Sequence, residues 1–327
     1  LNDALSGLAK GAVVVFLGTV IGRALALLGQ VVVVRSLSPS AFGTVALVYT
    51  GILTISQLGL LGIPRGVTRL ISAKDSEQEQ YDILRSGFLI ALVGAVVLVS
   101  AVYTLRTELA DLMRNPDLAS LIVPFLALIL IFPISRVSIA VLRAQQKSIQ
   151  TILTRDIVPQ LMAIVVFLGF AYVQRPFDGA IAYWLVVPLT STVLAVAFLS
   201  RNLSADAFHA RLPDVDVARE PWSFSWPLAI GASLTLLMSN LDVLMIGYFL
   251  QSDEVGFYRS VQPLRQITRF VLGSFVFLFL PLATSLYAKE EYDKLRMLYT
   301  TASKWVAVLT LPFVLVFSLF AGDVVRV

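Results

Sequence analysis

Five polar side chains share one helical face in an otherwise apolar stretch of the sequence. Their spacing places them within about a third of the circumference of an α-helix. We call them the arginine stripe: Arg259, Gln262, Arg265, Gln266 and Arg269. An arginine that faces lipid at the centre of a spanning helix costs roughly 2.5–3.5 kcal/mol. The stripe therefore faces a bundle interior, where it either pairs with carbonyls and carboxylates or binds an anion such as phosphate.

Two other apolar stretches also carry polar residues on a single face. Arg23 and Gln30 share a face of the first stretch, and Gln57 shares a face of the second with Thr54. The insertion cost applies to Arg23 as it does to the stripe. We expect Arg23, Gln30 and Gln57 to line the same cationic cavity as the stripe, with a purely structural role for Arg23 as the alternative.

Asp242 is the only acidic residue that we place well inside an apolar stretch. Ser239 shares its helical face, and Asn240 lies nearby. Oxygen ligands suit Na⁺ and a buried carboxylate can titrate, so the three residues are a candidate site for coupling to Na⁺ or H⁺. An ion pair between Asp242 and the arginine stripe is the alternative. We expect no other cofactor and no structural metal.

The amino-acid composition indicates that these apolar stretches lie in a membrane. Hydrophobic residues make up 57% of the 327 positions and charged residues 14%, against about 25% charged residues in soluble domains. A spanning helix needs roughly 20 apolar residues, and nine stretches qualify. They cover residues 12–34, 41–62, 86–105, 118–139, 157–173, 180–199, 227–250, 260–282 and 301–320. The fold class is therefore an all-α polytopic integral membrane bundle.

Basic residues outside these stretches predict the orientation. With the N-terminus in the cytoplasm, fifteen Lys and Arg residues lie inside, counting Arg136 at the inner end of the stretch 118–139, and six lie outside, as the positive-inside rule favours. Because the basic residues are dispersed between apolar stretches, we expect no nucleic-acid partner. Cysteine is absent, which excludes disulfides and cysteine nucleophiles.

An internal repeat predicts two lobes. Residues 38–43 (SPSAFG) correspond to 252–257 (SDEVGF), and the Tyr-Asp-x-Leu-Arg pattern is shared by Tyr81–Arg85 and Tyr292–Arg296. Equivalent positions are separated by six stretches, so the repeats are parallel, as in some transporters. We predict a six-helix bundle (1–200), a cytoplasmic linker (201–221) and the first three helices of a second bundle (222–327). On this prediction the second lobe is truncated.

The loop sequences SPSAFG and SDEVGFY, the stretch SNLDVLMIGYFL and the basic segment PRGVTRL resemble polysaccharide flippases. These flippases belong to the multidrug/oligosaccharidyl-lipid/polysaccharide (MOP) exporter superfamily. The resemblance implies a two-lobed transporter of the cell membrane that flips a lipid-linked oligosaccharide or polysaccharide precursor by alternating access. It also implies as partners a (pyro)phosphate-linked lipid sugar and membrane lipids, with glycosyltransferases and a polymerase of the same pathway as further candidates.

Two alternatives stay open beside the flippase. A multidrug or cation antiporter of the same superfamily would favour an acidic or aromatic cavity, which the arginines disfavour. A membrane-embedded sugar polymerase or ligase would show a large outside loop, whereas the predicted loops are short. The single histidine, His209, has no catalytic partner pattern, and no Walker or dinucleotide motif is present. We therefore expect a transporter and not an enzyme.

Overall fold

The computed structural model describes residues 2–60, 62–74, 76–145, 147–202, 215–320 and 322. Within these ranges it does not describe the side chains of 2–16, 72, 215–228, 232, 265–271, 274, 277, 278 and 281. The described secondary structure is helical. The α-helices are α1 (Asn2–Arg35), α2 (Pro39–Gly59), α3 (Ile63–Ala73), α4 (Glu77–Thr104), α5 (Arg106–Leu112), α6 (Asp117–Ala144), α7 (Ser148–Ile152), α8 (Val158–Tyr172), α9 (Pro176–Asn202), α10 (Val215–Phe249), α11 (Ser252–Ala288) and α12 (Tyr292–Leu319).

Eight segments of the described chain are long and apolar enough to cross a membrane. They are Leu17–Arg35, Pro39–Gly59, Glu77–Thr104, Asp117–Ala144, Ser148–Tyr172, Pro176–Asn202, Ala229–Phe249 and Tyr292–Leu319. Each overlaps one predicted stretch, which confirms the all-α polytopic fold class. The remaining predicted stretch, 260–282, lies within α11, where several side chains fall outside the description.

The basic segment after α2 forms a short helix of its own. Gly62 adopts a left-handed conformation (φ 74°) that a side chain would disfavour, and this turn separates α2 from α3. Ile63, Val67 and Ile71 recur every four residues and are buried, whereas Arg65 points outward. The segment is therefore an amphipathic helix whose apolar face packs onto the bundle.

The fifth spanning segment begins nine residues before the predicted start at residue 157. It consists of α7, a π-helical turn (Leu153–Ile157) and α8 in continuous succession. The turn ends two residues before Pro159, which has no N–H to donate to the carbonyl four residues earlier. A π turn accommodates such a missing bond. As a result, Arg155 and Asp156 lie within the span and not in a cytoplasmic loop.

The described chain divides into two compact units, residues 1–256 and 257–327. In the first, α6 is central and packs against α2, α3, α4 and α9. Its fully buried residues include Phe125, Ile129 and Val137. A hydrogen bond of 3.0 Å between Ser135 and Ser191 links α6 to α9. Buried hydroxyls paired in this way avoid the cost of an unsatisfied polar group in an apolar interior.

The second unit contains most of α11 and all of α12. Ring contacts join Phe279 to Tyr299 and Tyr287 to Tyr292. Helix α10 begins at residue 215, inside the predicted linker 201–221, so the linker is shorter at its C-terminal end than predicted. Residues 203–214 of that linker, including His209, lie outside the described residues. The predicted division into two lobes stays a prediction.

Candidate functional site

The three residues of the candidate ion site lie on α10, which packs against α2, α3 and α4. The Asn240 side-chain amide donates to Thr54 Oγ1 of α2 at 3.1 Å. Ser239 Oγ donates to the Thr235 carbonyl at 2.8 Å, and Asp242 Oδ1 accepts from the Val243 N–H at 2.9 Å. Each side chain is half-buried. Asn240 therefore ties α10 to α2, while Ser239 and Asp242 hydrogen-bond within their own helix.

The residues predicted to line a cationic cavity are distributed over three helices. Arg23 is exposed and Gln30 half-buried on α1, and Gln57 is half-buried on α2. On α11, an Arg259 guanidinium nitrogen donates to Gln262 Oε1, so the structure brings these two stripe residues together. The side chains of Arg265, Gln266 and Arg269 lie outside the description. The cavity itself stays a prediction.

A group of charged residues that we had not predicted as a site lies inside the first unit. We call it the basic cluster: Arg136 and Arg143 of α6, with Arg155 and Asp156 of the π turn. Arg155 Nε is 2.9 Å from both carboxylate oxygens of Asp156, and Nη2 is 2.7 Å from Oδ2. The same Nη2 donates to Thr19 Oγ1 of α1 at 3.3 Å.

The arginines of α6 complete the basic cluster. Arg136 and Arg143 are seven residues apart, which places them on one face of the helix. The Arg136 guanidinium carbon lies 4.4 Å from the centre of the Phe132 ring, a cation–π contact. Together the four residues carry three cations and one carboxylate, a net charge of about +2.

Glycines on α1 allow this helix to approach the π turn closely. A Cβ added to Gly22 would lie 2.5 Å from Asp156 Cβ and 2.8 Å from the Asp156 carbonyl oxygen. A Cβ added to Gly29 would lie 2.5 Å from the Tyr183 hydroxyl oxygen. The Asp156 backbone leaves no room for a side chain at Gly22, whereas the hydroxyl opposite Gly29 is the end of a side chain that can move. The contact places Thr19, whose hydroxyl oxygen accepts from Arg155, beside the basic cluster.

Comparison with known proteins identifies the family. Residues 8–286 match the family model of polysaccharide biosynthesis proteins. The chain belongs to this family. No curated protein sequence matches it significantly.

Solved structures show the fold that this polysaccharide biosynthesis family member shares with others. An inward-facing multidrug resistance MATE family transporter of the MOP superfamily has a TM-score of 0.72 at 18% identity, covering 92% of this chain and 71% of that one. A MOP superfamily transporter from Pyrococcus furiosus has a TM-score of 0.63 at 19% identity, covering 96% and 73%. The chain is therefore a multi-pass membrane protein with the MOP fold, which confirms the resemblance.

The basic cluster of this family member was not predicted because Arg143 and Arg155 were placed in cytoplasmic segments and Arg136 at the inner end of a spanning stretch. The seven-residue interval between Arg136 and Arg143 was a signal that could have revealed them. Among the residues that the structure describes, no group of three His, Asp or Glu side chains is placed to hold a metal ion. The guanidinium groups in this part of the bundle can bind an anion.

Proposed function

We propose that this protein transports a lipid-linked oligosaccharide or polysaccharide precursor that carries phosphate. The observation that supports the proposal is the excess of basic over acidic residues at interior positions of the long helices. Among positions at least seven residues from either end of a described helical segment, basic residues outnumber acidic ones. The basic positions are Lys10, Arg23, Arg85, Arg136, Arg155, Arg259, Arg265, Arg269 and Lys304, and the acidic positions are Asp156 and Asp242.

This excess of basic residues favours an anionic cargo over a cationic drug. Each arginine within a span costs roughly 2.5–3.5 kcal/mol when it faces lipid, and facing water or an anion removes that cost. Among the relatives, one is described as a multidrug resistance transporter, and the one from Pyrococcus furiosus is described by a reverse polarity of its binding pocket that suggests a different function. The family description as polysaccharide biosynthesis protein supports the sugar-linked cargo.

In the proposed cycle, Arg23 binds the cargo phosphate while a cavity is open to the cytoplasm, the side predicted to hold the N-terminus. A conformational change then opens the cavity to the outside. The sugar crosses through water and the lipid chain stays in the bilayer. Arginine suits this role because its planar fork gives two parallel hydrogen bonds to a phosphate.

The experiment is transport of a fluorescent lipid-linked oligosaccharide by the full chain in phospholipid vesicles. We expect transport by the wild type and a loss of about tenfold or more for Arg23→Gln, because a hydrogen bond to a charged group contributes about 1.5–3 kcal/mol. Arg106→Gln is the matched control, since Arg106 lies outside the spans over the Tyr103 ring at 4.1 Å. Uptake of a cationic dye without oligosaccharide transport would favour the antiporter, and lengthening of the sugar would favour the polymerase.

Coupling to Na⁺ or H⁺ at Asp242 is a second part of the proposal. Its support is that Asp242 is half-buried on α10, one of the two acidic residues in the interior positions of the described helices. We expect Asp242→Asn to abolish the response of transport to a Na⁺ or proton gradient. Ser239→Ala tests whether the Ser239 hydroxyl contributes to this response. Asn240→Asp keeps a side-chain oxygen at position 240. An unchanged response of Asp242→Asn to both gradients would exclude the site.

A further inference from the structure

One face of α2 packs against α10 and the first turn of α11, on the side predicted to lie outside. The α2 residues of this contact recur every three or four positions, which places them on one side of the helix. We call the contact the outer seam, and its α2 residues are Gly43, Leu47, Gly51 and Thr54. A Cβ added to Gly247 would lie 2.5 Å from Leu47 Cδ1, and one added to Gly51 would lie 3.9 Å from Leu244 Cδ2. The Asn240 amide donates to Thr54 Oγ1 at 3.1 Å.

At the outer end of the seam the two segments meet backbone to backbone. A Cβ added to Gly43 would overlap the Ser252 carbonyl oxygen, and one added to Gly256 would overlap the Pro39 carbonyl oxygen. Each glycine therefore faces the first turn of the other helix, so the contact between the two loop repeats is reciprocal, as at a two-fold axis. Parallel repeats in transporters are related by an axis along the membrane normal. A reciprocal contact on that axis closes the outer end of a pathway between the repeats.

One hydrogen bond joins this outer end to the turn between α5 and α6. Asn115 Nδ2 donates to Ser252 Oγ at 3.1 Å. Asn115 Oδ1 accepts from the Asp117 N–H at 3.1 Å, so the same side chain also caps the start of α6. The preceding residue, Arg114, is left-handed (φ 52°), which is uncommon for a residue with a side chain and turns the chain at this point. The Asn115 amide is therefore held by α6 and reaches across to α11.

The outer seam also accounts for the place at which the compact units divide. Helix α10 and the first turn of α11 lie in the first unit, which ends at Gly256. By the internal repeat, the same residues begin the second predicted bundle. A seam that is closed in this structure reconciles the two divisions, because it packs α10 against α2, α3 and α4. The seam is thus a contact between the two predicted bundles.

We propose that Asn115 is a latch that keeps the outer seam closed and must release Ser252 before the cargo leaves on the outer side. The proposal deepens the proposed function, on which it rests, by naming a residue that holds the cavity shut on that side. Asn115 and Ser252 are both half-buried, so water can replace the bond on each partner when it breaks. The first turns of α2 and α11 then separate, and the side-chain contacts deeper in the seam follow.

A reversible cross-link tests whether the latch must open. The chain contains no cysteine, so Asn115→Cys together with Ser252→Cys supplies the only two thiols. A short bifunctional methanethiosulfonate reagent joins them, and a reductant releases them. We expect the cross-linked protein to transport the fluorescent lipid-linked oligosaccharide at least tenfold more slowly, and the reductant to restore transport. Maleimide labelling after denaturation verifies that both thiols have reacted.

A second pair of residues is the matched control for the cross-link. Ser135 and Ser191 join α6 to α9 inside the predicted first bundle, with their hydroxyl oxygens 3.0 Å apart. The cross-link between Ser135→Cys and Ser191→Cys should leave transport unchanged, because both helices belong to one bundle. Equal transport by the cross-linked and the reduced forms of the Asn115→Cys, Ser252→Cys protein would overturn the latch.

Labelling of Val255→Cys measures opening of the seam without transport. Val255 is fully buried in the first turn of α11, so a membrane-impermeant maleimide on the outer side should reach this thiol only when the seam opens. Ser252→Ala removes the latch bond and leaves the Asn115 cap on Asp117 in place. We expect Ser252→Ala to raise the labelling rate about two- to tenfold, the factor that corresponds to one hydrogen bond.

Ser36→Ala is the matched control for the labelling experiment. Ser36 lies at the outer end of α1, where its hydroxyl donates to the Val32 carbonyl of the same helix at 2.8 Å. This substitution should leave the labelling rate of Val255→Cys unchanged. A permanent structural contact at Asn115 predicts the same rate for Ser252→Ala and Ser36→Ala, and that result would overturn the latch.

The two assays separate failure of the latch from failure of the proposed function. If the wild type transports the oligosaccharide and the cross-linked protein does so equally well, the latch is wrong and the proposed function stands. If the wild type does not transport it but Ser252→Ala speeds labelling, the proposed cargo is wrong and the latch stands. If neither effect is seen, both are wrong. Each variant must elute as a single folded species, and the labelling experiment decides should the cysteine pair at 115 and 252 fail to fold.

Discussion

The two repeated loop sequences, 38–43 and 252–257, pack directly against each other at the first turns of α2 and α11. A Cβ added to Gly43 would overlap the Ser252 carbonyl oxygen and lie 2.7 Å from the Gly256 backbone nitrogen. A Cβ added to Gly256 would overlap the Pro39 carbonyl oxygen and lie 2.8 Å from the Pro39 carbonyl carbon. We predict that Gly43→Ala destabilises the protein because backbone on both sides of the contact must move.

The size of the effect follows from two opposing terms. Alanine in place of glycine within a helix contributes about 0.5–1 kcal/mol of stability. Overpacking costs about 1–3 kcal/mol, and here the upper part of that range applies because the obstacle is backbone and not a flexible side chain. The net expectation is a loss of about 1–2 kcal/mol for Gly43→Ala, from the difference of these two terms. Gly43→Val should cost more.

Unfolding of the purified full chain in detergent, followed by tryptophan fluorescence, measures the change. A loss of this size should lower the midpoint by several degrees, at about 2–4 °C per kcal/mol. Gly169→Ala is the matched control because nothing lies within 4 Å of its added Cβ, so it should stabilise slightly. If Gly43→Ala raises the midpoint as Gly169→Ala does, the close contact between the two repeats does not exist.

Three further predictions concern stability. Phe125→Ala removes a fully buried ring of α6 and should cost about 3–5 kcal/mol, measured by the same unfolding assay; a loss below 1 kcal/mol would contradict the central position of α6. Asn240→Ala removes the hydrogen bond to Thr54 and should lower the free energy of unfolding by about 0.5–1.5 kcal/mol. An unchanged free energy of unfolding would mean that α10 does not depend on this hydrogen bond. Lys294 lowers the pKa of Glu291. Their ion pair therefore stabilises the protein at pH values above the ordinary carboxyl range, and this stabilisation is lost as the pH falls. Glu291→Gln should therefore reduce the acid dependence of helicity seen by circular dichroism, and an unchanged acid dependence would contradict this.

The apolar pattern predicts the spanning helices well because insertion into lipid depends on local composition. Each of the eight segments overlaps a predicted stretch. Helix α3 was missed for the opposite reason: it is short, and its basic residues resemble a cytoplasmic loop. The four-residue spacing of Ile63, Val67 and Ile71 was present in the sequence, but only the bundle supplies the apolar surface that buries it.

The candidate site was less predictable, because a helix end is fixed by packing more than by sequence. Arg23 was found through the cost of burying its charge in lipid. Arg155 and Asp156 were missed because Pro159 and two charges favour a helix that starts after them. The π turn overrides this preference by continuing the helix through the charged pair. A single sequence does not show that α1 covers this turn.

The glycine contacts of α1 hold this helix in the bundle independently of the ion pair between Arg155 and Asp156. Gly18 faces Ile152 and Gly29 faces Tyr183, on either side of the point where Gly22 faces Asp156. These contacts place helix backbone against side chains and do not require the ion pair. Opening the pair therefore leaves the packing of α1 in place.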